Sequence, residues 1–185
     1  MHHIDLSSVL RQTVACDLYS NLVTRPTGAA VRNQIERLLG EAQDRTLTVI
    51  DFSQVSMIDF SCADEVIAKL LLRYEADNPP RETYFLFRGV TDEHWEAIEA
   101  VLERRGLALV LEQADGIHVV GNLTAEERRV WEAVQHLGAA APAELAEELG
   151  LGLDAVGRAL DTLSRRRLVM HVGDDYVVVG AHRGG

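Results

Sequence analysis

The chain has 185 residues, of which 47% are apolar and 25% charged, an ordinary globular composition that excludes collagenous, low-complexity and largely disordered architectures. Twenty-nine acidic and 18 basic side chains leave a formal net charge of −11, which works against generic nucleic-acid binding, because such a chain repels phosphate unless basic groups are gathered locally. No apolar run approaches the ~18 residues that span a bilayer, and the N-terminus lacks the apolar region of a secretion signal, so a cytoplasmic protein with no membrane partner is expected.

In chain order, TVACDLYS near 13 to 20 reads as an edge strand. A loop with Pro26 and Gly28 precedes a helix whose face is Val31, Ile35, Leu38 and Leu39. The run from Thr46 to Phe52 is apolar and β-branched apart from Asp51, as expected for a strand covered on both faces. A short loop leads to a helix with Ala63, Val66, Ile67, Leu70, Leu71 and Tyr74 on one side, ended by Asn78, Pro79 and Pro80. Strand 83 to 87, a helix opening at Thr91 with Trp95, Ile98 and Leu102 inward, and strand 107 to 111 follow. The Asp115-Gly116 turn then returns the chain as a last strand at 117 to 120. This alternation predicts an α/β layer structure over residues 1 to 121.

After Asn122 the pattern changes to three helices and a hairpin, which predicts a second, smaller domain over residues 122 to 185. Thr124 and Glu127 form a capping box, and Val130, Trp131, Val134 and Leu137 supply the buried stripe of the first helix. Gly138 stops it. A helix after Pro142 ends at Gly150, and a third carries Val156, Leu160 and Leu163. The runs LVMHV and YVVV flank Gly173-Asp174-Asp175 as a hairpin.

Chemistry-bearing groups are sparse. Cys16 and Cys62 lie far apart and form neither a disulfide framework nor a zinc motif. The seven histidines, His2, His3, His94, His118, His136, His171 and His182, show no ligand spacing and read as solvated surface groups. Asp51 and Asp59 sit at opposite ends of a strand-loop unit with no nucleophile or metal site between them, and no Gly-rich phosphate loop or hydrolase elbow occurs. No cofactor, metal or enzymatic activity is expected.

The segment LTVIDFSQVSMIDFSCADEVIAKLL resembles the STAS domain of anti-sigma factor antagonists, whose hallmark is an Asp-Ser-Ser-Gly-like turn between a strand and a helix. With the upstream TRPTGAAVRNQIERLL, it resembles even more closely the STAS-like domains of bacteria and phage-associated loci. The resemblance covers most of residues 20 to 120 and implies a partner-docking turn regulated by phosphorylation of its second serine. The matching residue is Ser61, with Asp59 at the aspartate position; Phe60 and Cys62 replace the first serine and the glycine. Read from the residues alone, Ser61 is an N-cap, with Asp64 and Glu65 complementing the helix dipole and opposing any phosphate on Ser61. Cys62 is expected to be a buried, inert thiol. The candidate phosphorylation or docking set is therefore Asp59, Ser61, Cys62 and Asp64.

The C-terminal run APAELAEELGLGLDAVGRALDTLSRRRLVMHVGDDYVVVG resembles the winged helix-turn-helix of bacterial regulators. Its candidate DNA contacts are Arg158 and the cluster Arg165, Arg166 and Arg167. Charge speaks against DNA: residues 122 to 185 hold seven arginines against ten acids, a net of −3, and residues 1 to 121 a net of −8. The reading is a non-enzymatic bacterial regulatory protein. A STAS-like domain binds a protein partner or signal and a winged helix transmits the outcome, to DNA or, alternatively, as an interaction adaptor or homodimerising scaffold without DNA.

Overall fold

A computed structural model describes residues 12–42 and 45–181; His2, His3 and His182 lie outside them. The fold is mixed α/β. Five strands, β1 (Gln12–Leu22), β2 (Thr46–Ile58), β3 (Thr83–Arg88), β4 (Ala108–Gln113) and β5 (Gly116–Gly121), form one sheet in sequential order. The first four are mutually parallel, and β5 returns antiparallel to β4 through the Asp115-Gly116 turn. Helix α1 (Arg25–Glu41) joins β1 to β2. Helix α2 joins β2 to β3 in three consecutive segments: Phe60–Ala63, a π-helical turn Asp64–Ala68, and Lys69–Glu75. Helix α3 (Asp92–Arg105) joins β3 to β4. Helices α4 (Ala125–Leu137), α5 (Pro142–Leu149) and α6 (Leu153–Arg165) and the hairpin β6 (Val169–Val172) and β7 (Asp175–Val178) complete the chain, with Ala140 bridging to Tyr176 beside the hairpin.

Strand alternation sorts the core. Ile50, Phe52, Phe85, Phe87, Leu109 and Leu111 pack with Ile35 and Leu39 of α1, Val66 and Leu70 of α2, and Ile98 and Leu102 of α3. Adding parallel strands in one direction with one crossover hand leaves those three helices on a single face. The opposite face, Leu47, Val49, Tyr84, Leu86, Ala108 and Val110, belongs to the same hydrophobic cluster as Trp131, Val134, Leu160 and Leu163. The C-terminal helices thus supply the second cover that the apolar strands require.

Two element boundaries differ from the sequence reading by more than two residues. Helix α1 begins at Arg25, so Pro26 occupies its first turn, where a missing N–H costs nothing, and Gly28 is helical rather than in a loop. Strand β2 runs on to Ile58 through SQVSMI, whose polar residues face outward while Val55 and Ile58 stay buried, and it pairs with β1 as far as Ile58 opposite Leu22. Downstream, the local signals hold. Thr124 and Glu127 exchange capping-box hydrogen bonds, and Gly150 ends α5 at φ 63°.

Candidate functional site

The turn from β2 into α2 is built around Asp59. Its carboxylate accepts from the Cys62 amide at 2.8 Å, capping α2, and from the Thr24 amide at 3.0 Å, at the start of α1. These backbone donors hold the carboxyl below its ordinary range, the Cys62 amide contributing most. The N-cap is therefore Asp59; Ser61 is not the cap but the second residue of the helix, half-buried. Both residue types cap well, and only the backbone position decides between them. Thr24 is held at φ 73°, a left-handed conformation costly for a β-branched residue. It is fixed by Asp59 on its amide and by the Cys62 thiol, which donates to its carbonyl at 2.9 Å. Two exposed residues flank the turn, Arg25 and Met57, the latter half exposed at 50%.

Cys62 is fully buried, and burial, reinforced by Asp59, pushes its thiol up to about 11. It is packed, not presented. Gly28 of α1 lies directly against it: a Cβ there would stand 2.9 Å from Cys62 Cα and 3.0 Å from Glu65 Cβ. The glycine permits the close crossing of α1 over the start of α2.

Asp64 and Glu65 are not surface partners of the helix dipole; both are buried at 2% exposure within the π-helical turn. Arg25 Nη1 bridges them, at 3.0 Å from Asp64 and 2.7 Å from Glu65. Arg105 of α3 grips Asp64 with two hydrogen bonds of 2.9 and 3.1 Å, while Arg32 of α1 at 3.3 Å and Lys69 reach Glu65. Burial raises the Glu65 carboxyl, but the bonds from Lys69 and Arg25 outweigh it and hold it at about 2. Asp64 is lowered by the same balance against Arg25 and Arg105. Charge matching of this kind makes a buried carboxylate tolerable. It also changes the electrostatics expected around Ser61, because the two neighbouring carboxylates are already neutralised.

His94 is likewise not a solvated histidine. Buried at 1% exposure, its Nδ1 accepts from the Thr91 amide at 3.1 Å and its Nε2 lies 2.7 Å from the Val55 carbonyl, so the ring closes the start of α3 onto β2. The Thr-x-x-His spacing is that of a capping box with histidine in the glutamate position, and could have signalled it.

The structure separates the four candidate DNA-contacting arginines. Arg158 and Arg165 are exposed on α6, on one stripe with Asp154 and Asp161, so acid and base alternate along it. Arg166 is only 14% exposed; it donates to the Gly106 carbonyl at 3.2 Å and faces Glu127 at 3.7 Å. Arg167 lies with its guanidinium carbon 5.7 Å from the Tyr84 ring centroid. These two hold the C-terminal segment against the sheet domain.

Among the described residues no group of three or more metal-ligating side chains converges, and no helix is long and apolar enough to cross a membrane. No protein-family model and no curated protein matches the chain.

Proposed function

We propose that the chain is a non-enzymatic regulatory protein: a STAS-like unit docks a protein partner at the turn between β2 and α2, and a winged-helix unit passes the outcome on by protein contact. The observation that carries this reading is the turn itself. One carboxylate, Asp59, ties the starts of two helices together beneath exposed Thr24, Arg25 and Met57, with Ser61 at its edge. Helix α2 then runs from this turn to Glu75, and Ala76 and Asp77 just beyond it line one hollow with Ser164 and Arg165, so its far end adjoins the C-terminal segment. Phosphate on Ser61 would enter a turn whose neighbouring carboxylates are already paired with arginine.

Affinity capture from the native cell, with and without nuclease, tests this. A protein partner that survives nuclease, and is lost with Met57→Asp and weakened by Ser61→Glu but not by Ser61→Ala, is expected. Equal capture by all four proteins sinks the docking face.

The exposure of α6, with Arg158 and Arg165 outward, supports a second reading in which that helix touches DNA. Acid residues on the same stripe, and Asp174 exposed at the hairpin tip, weigh against it. Fluorescence anisotropy at low salt decides: no affinity for mixed-sequence duplex tighter than about 100 μM, against an ordinary non-specific range of about 10⁻⁴ to 10⁻⁶ M, removes the DNA reading.

A further inference from the structure

We propose that the outer face of α1, α2 and α3, continuous with the docking turn, is a cationic strip that takes a short, extended, acidic segment of a protein partner; the inference rests on the reading of that turn as a docking face and names the chemistry of what docks there. Five of the chain's 18 basic side chains meet over three carboxylates. Arg25 and Arg105 hold Asp64; Arg25, Arg32 and Lys69 hold Glu65; Arg32 at 3.4 Å and Arg73 at 3.0 Å hold Glu36. The charges are layered. The side chains of Asp64 and Glu65 are 3% exposed and that of Glu36 15%, whereas Arg32 is 22% exposed and the other four cations 38–50%. The acids thus lie beneath and the cations above, and this network carries +2 in a chain of −11, which leaves −13 for the remainder. Arg25 and Arg73 each engage the acids through Nη1, which leaves further N–H donors on two half-exposed guanidinium groups.

The dimensions and surroundings of the strip limit its occupant. Arg25 and Glu36 stand about 16 Å apart along α1, a distance that about five residues of extended chain would span. Arg104 adds a cation at the end nearer the turn, 5.5 Å from the Phe60 ring centroid, and Leu72, 41% exposed and next to Arg73, offers an apolar contact at the other end. The acids Glu99 and Glu103 of α3 turn away, lining a separate hollow with Trp95, Gly121 and Asn122 on the side of β5. Carboxylates match the forked donors of arginine, and a short acidic segment meets an excess of two positive charges. A nucleic acid, whose charges recur along its whole length, would run off the strip onto an acidic remainder that repels it.

The test is fluorescence anisotropy of the full chain with the labelled peptide Asp-Glu-Leu-Asp-Glu-Leu-Glu, its Asn/Gln counterpart, and an oligothymidylate of about the same charge. Saturable binding of the acidic peptide, tighter than about 1 mM and weakening as salt is raised, is expected, with neither of the other probes matching it. Arg73 and Arg104 stand at opposite ends of the strip and bond to neither Asp64 nor Glu65, so their replacement spares the buried charges. Arg73→Gln and Arg104→Gln should each weaken binding about threefold, the scale of an exposed ion pair, and together about tenfold. Arg73→Lys should largely preserve it, and Arg158→Gln, on α6, should change nothing. No saturable binding of the acidic peptide, equal binding of its amide counterpart, equally tight binding of the oligothymidylate, or indifference to both strip arginines would each overturn the proposal. Affinity capture with the same variants keeps it distinct from the docking turn. A partner lost with Met57→Asp but indifferent to Arg73→Gln and Arg104→Gln leaves the turn and removes the strip. Peptide binding that needs both arginines, with capture indifferent to Met57→Asp, leaves the strip and removes the turn.

Discussion

Asp59 organises more of the candidate site than Ser61 does, because it satisfies amides on two helices at once. Asp59→Ala should therefore cost about 1–2 kcal/mol, the upper part of the range for a lost N-cap. Urea denaturation checks this, and a loss under about 0.5 kcal/mol would mean that water replaces both bonds. Two glutamates give opposite pH signatures. Glu65 is held at about 2, so the stability it contributes is complete above the ordinary glutamate value of 4.5 and is lost as pH falls through about 2. Glu75 is raised to about 7, so the folded state binds the extra proton, and stability declines as pH rises from 4.5 through about 7. Urea midpoints measured across that second interval should fall for the wild type and stay flatter for Glu75→Gln, and parallel curves would show that Glu75 is solvated.

At the scale of elements, α1 and α2 cross where Gly28 meets Cys62, and the buried charges of the π-helical turn lock α3 to the same place. The glycine's role separates cleanly from helix propensity. Gly40, in the same helix, faces open space, and a methyl added there would meet nothing within 4 Å. Gly40→Ala should accordingly stabilise by up to about 1 kcal/mol. Gly28→Ala should destabilise by about 1–3 kcal/mol, because the new methyl meets backbone rather than the end of a flexible side chain. Thermal melts of the pair check the contrast, and equal signs would show that the crossing opens freely.

For the whole molecule, the decisive contact is between the sheet and the C-terminal helices. Removing residues 122 to 185 would strip the cover from Leu47, Val49, Tyr84, Leu86 and Val110, a contiguous apolar face. The fragment 1 to 121 is expected to aggregate or to bind a hydrophobic dye strongly. A monomeric, cooperatively folding fragment would show that the face tolerates water. The acid excess is spread over both sides of Gly121, at −8 and −3, so neither segment is basic on balance.

Much of this architecture is legible without coordinates, for a local reason. Caps, breakers and turns act over three or four residues, so Thr124 with Glu127, Gly150, and Asp115 with Gly116 announce their roles in the sequence, and the period of apolar residues announces strand or helix. The extension of β2 was hidden because its outward polar residues resemble a loop until β1 is seen beside them. The order and kind of most elements follow from local pattern, as does a strand too apolar to leave either face bare. The fate of the charged groups depends on long-range contacts. Asp64 finds Arg25 and Arg105 at 39 and 41 residues' distance, His94 finds Val55 at 39, and Arg166 finds Gly106 at 60. Whether a charged side chain is solvated or buried depends on partners that local sequence does not contain, and the energy of burial without them is prohibitive.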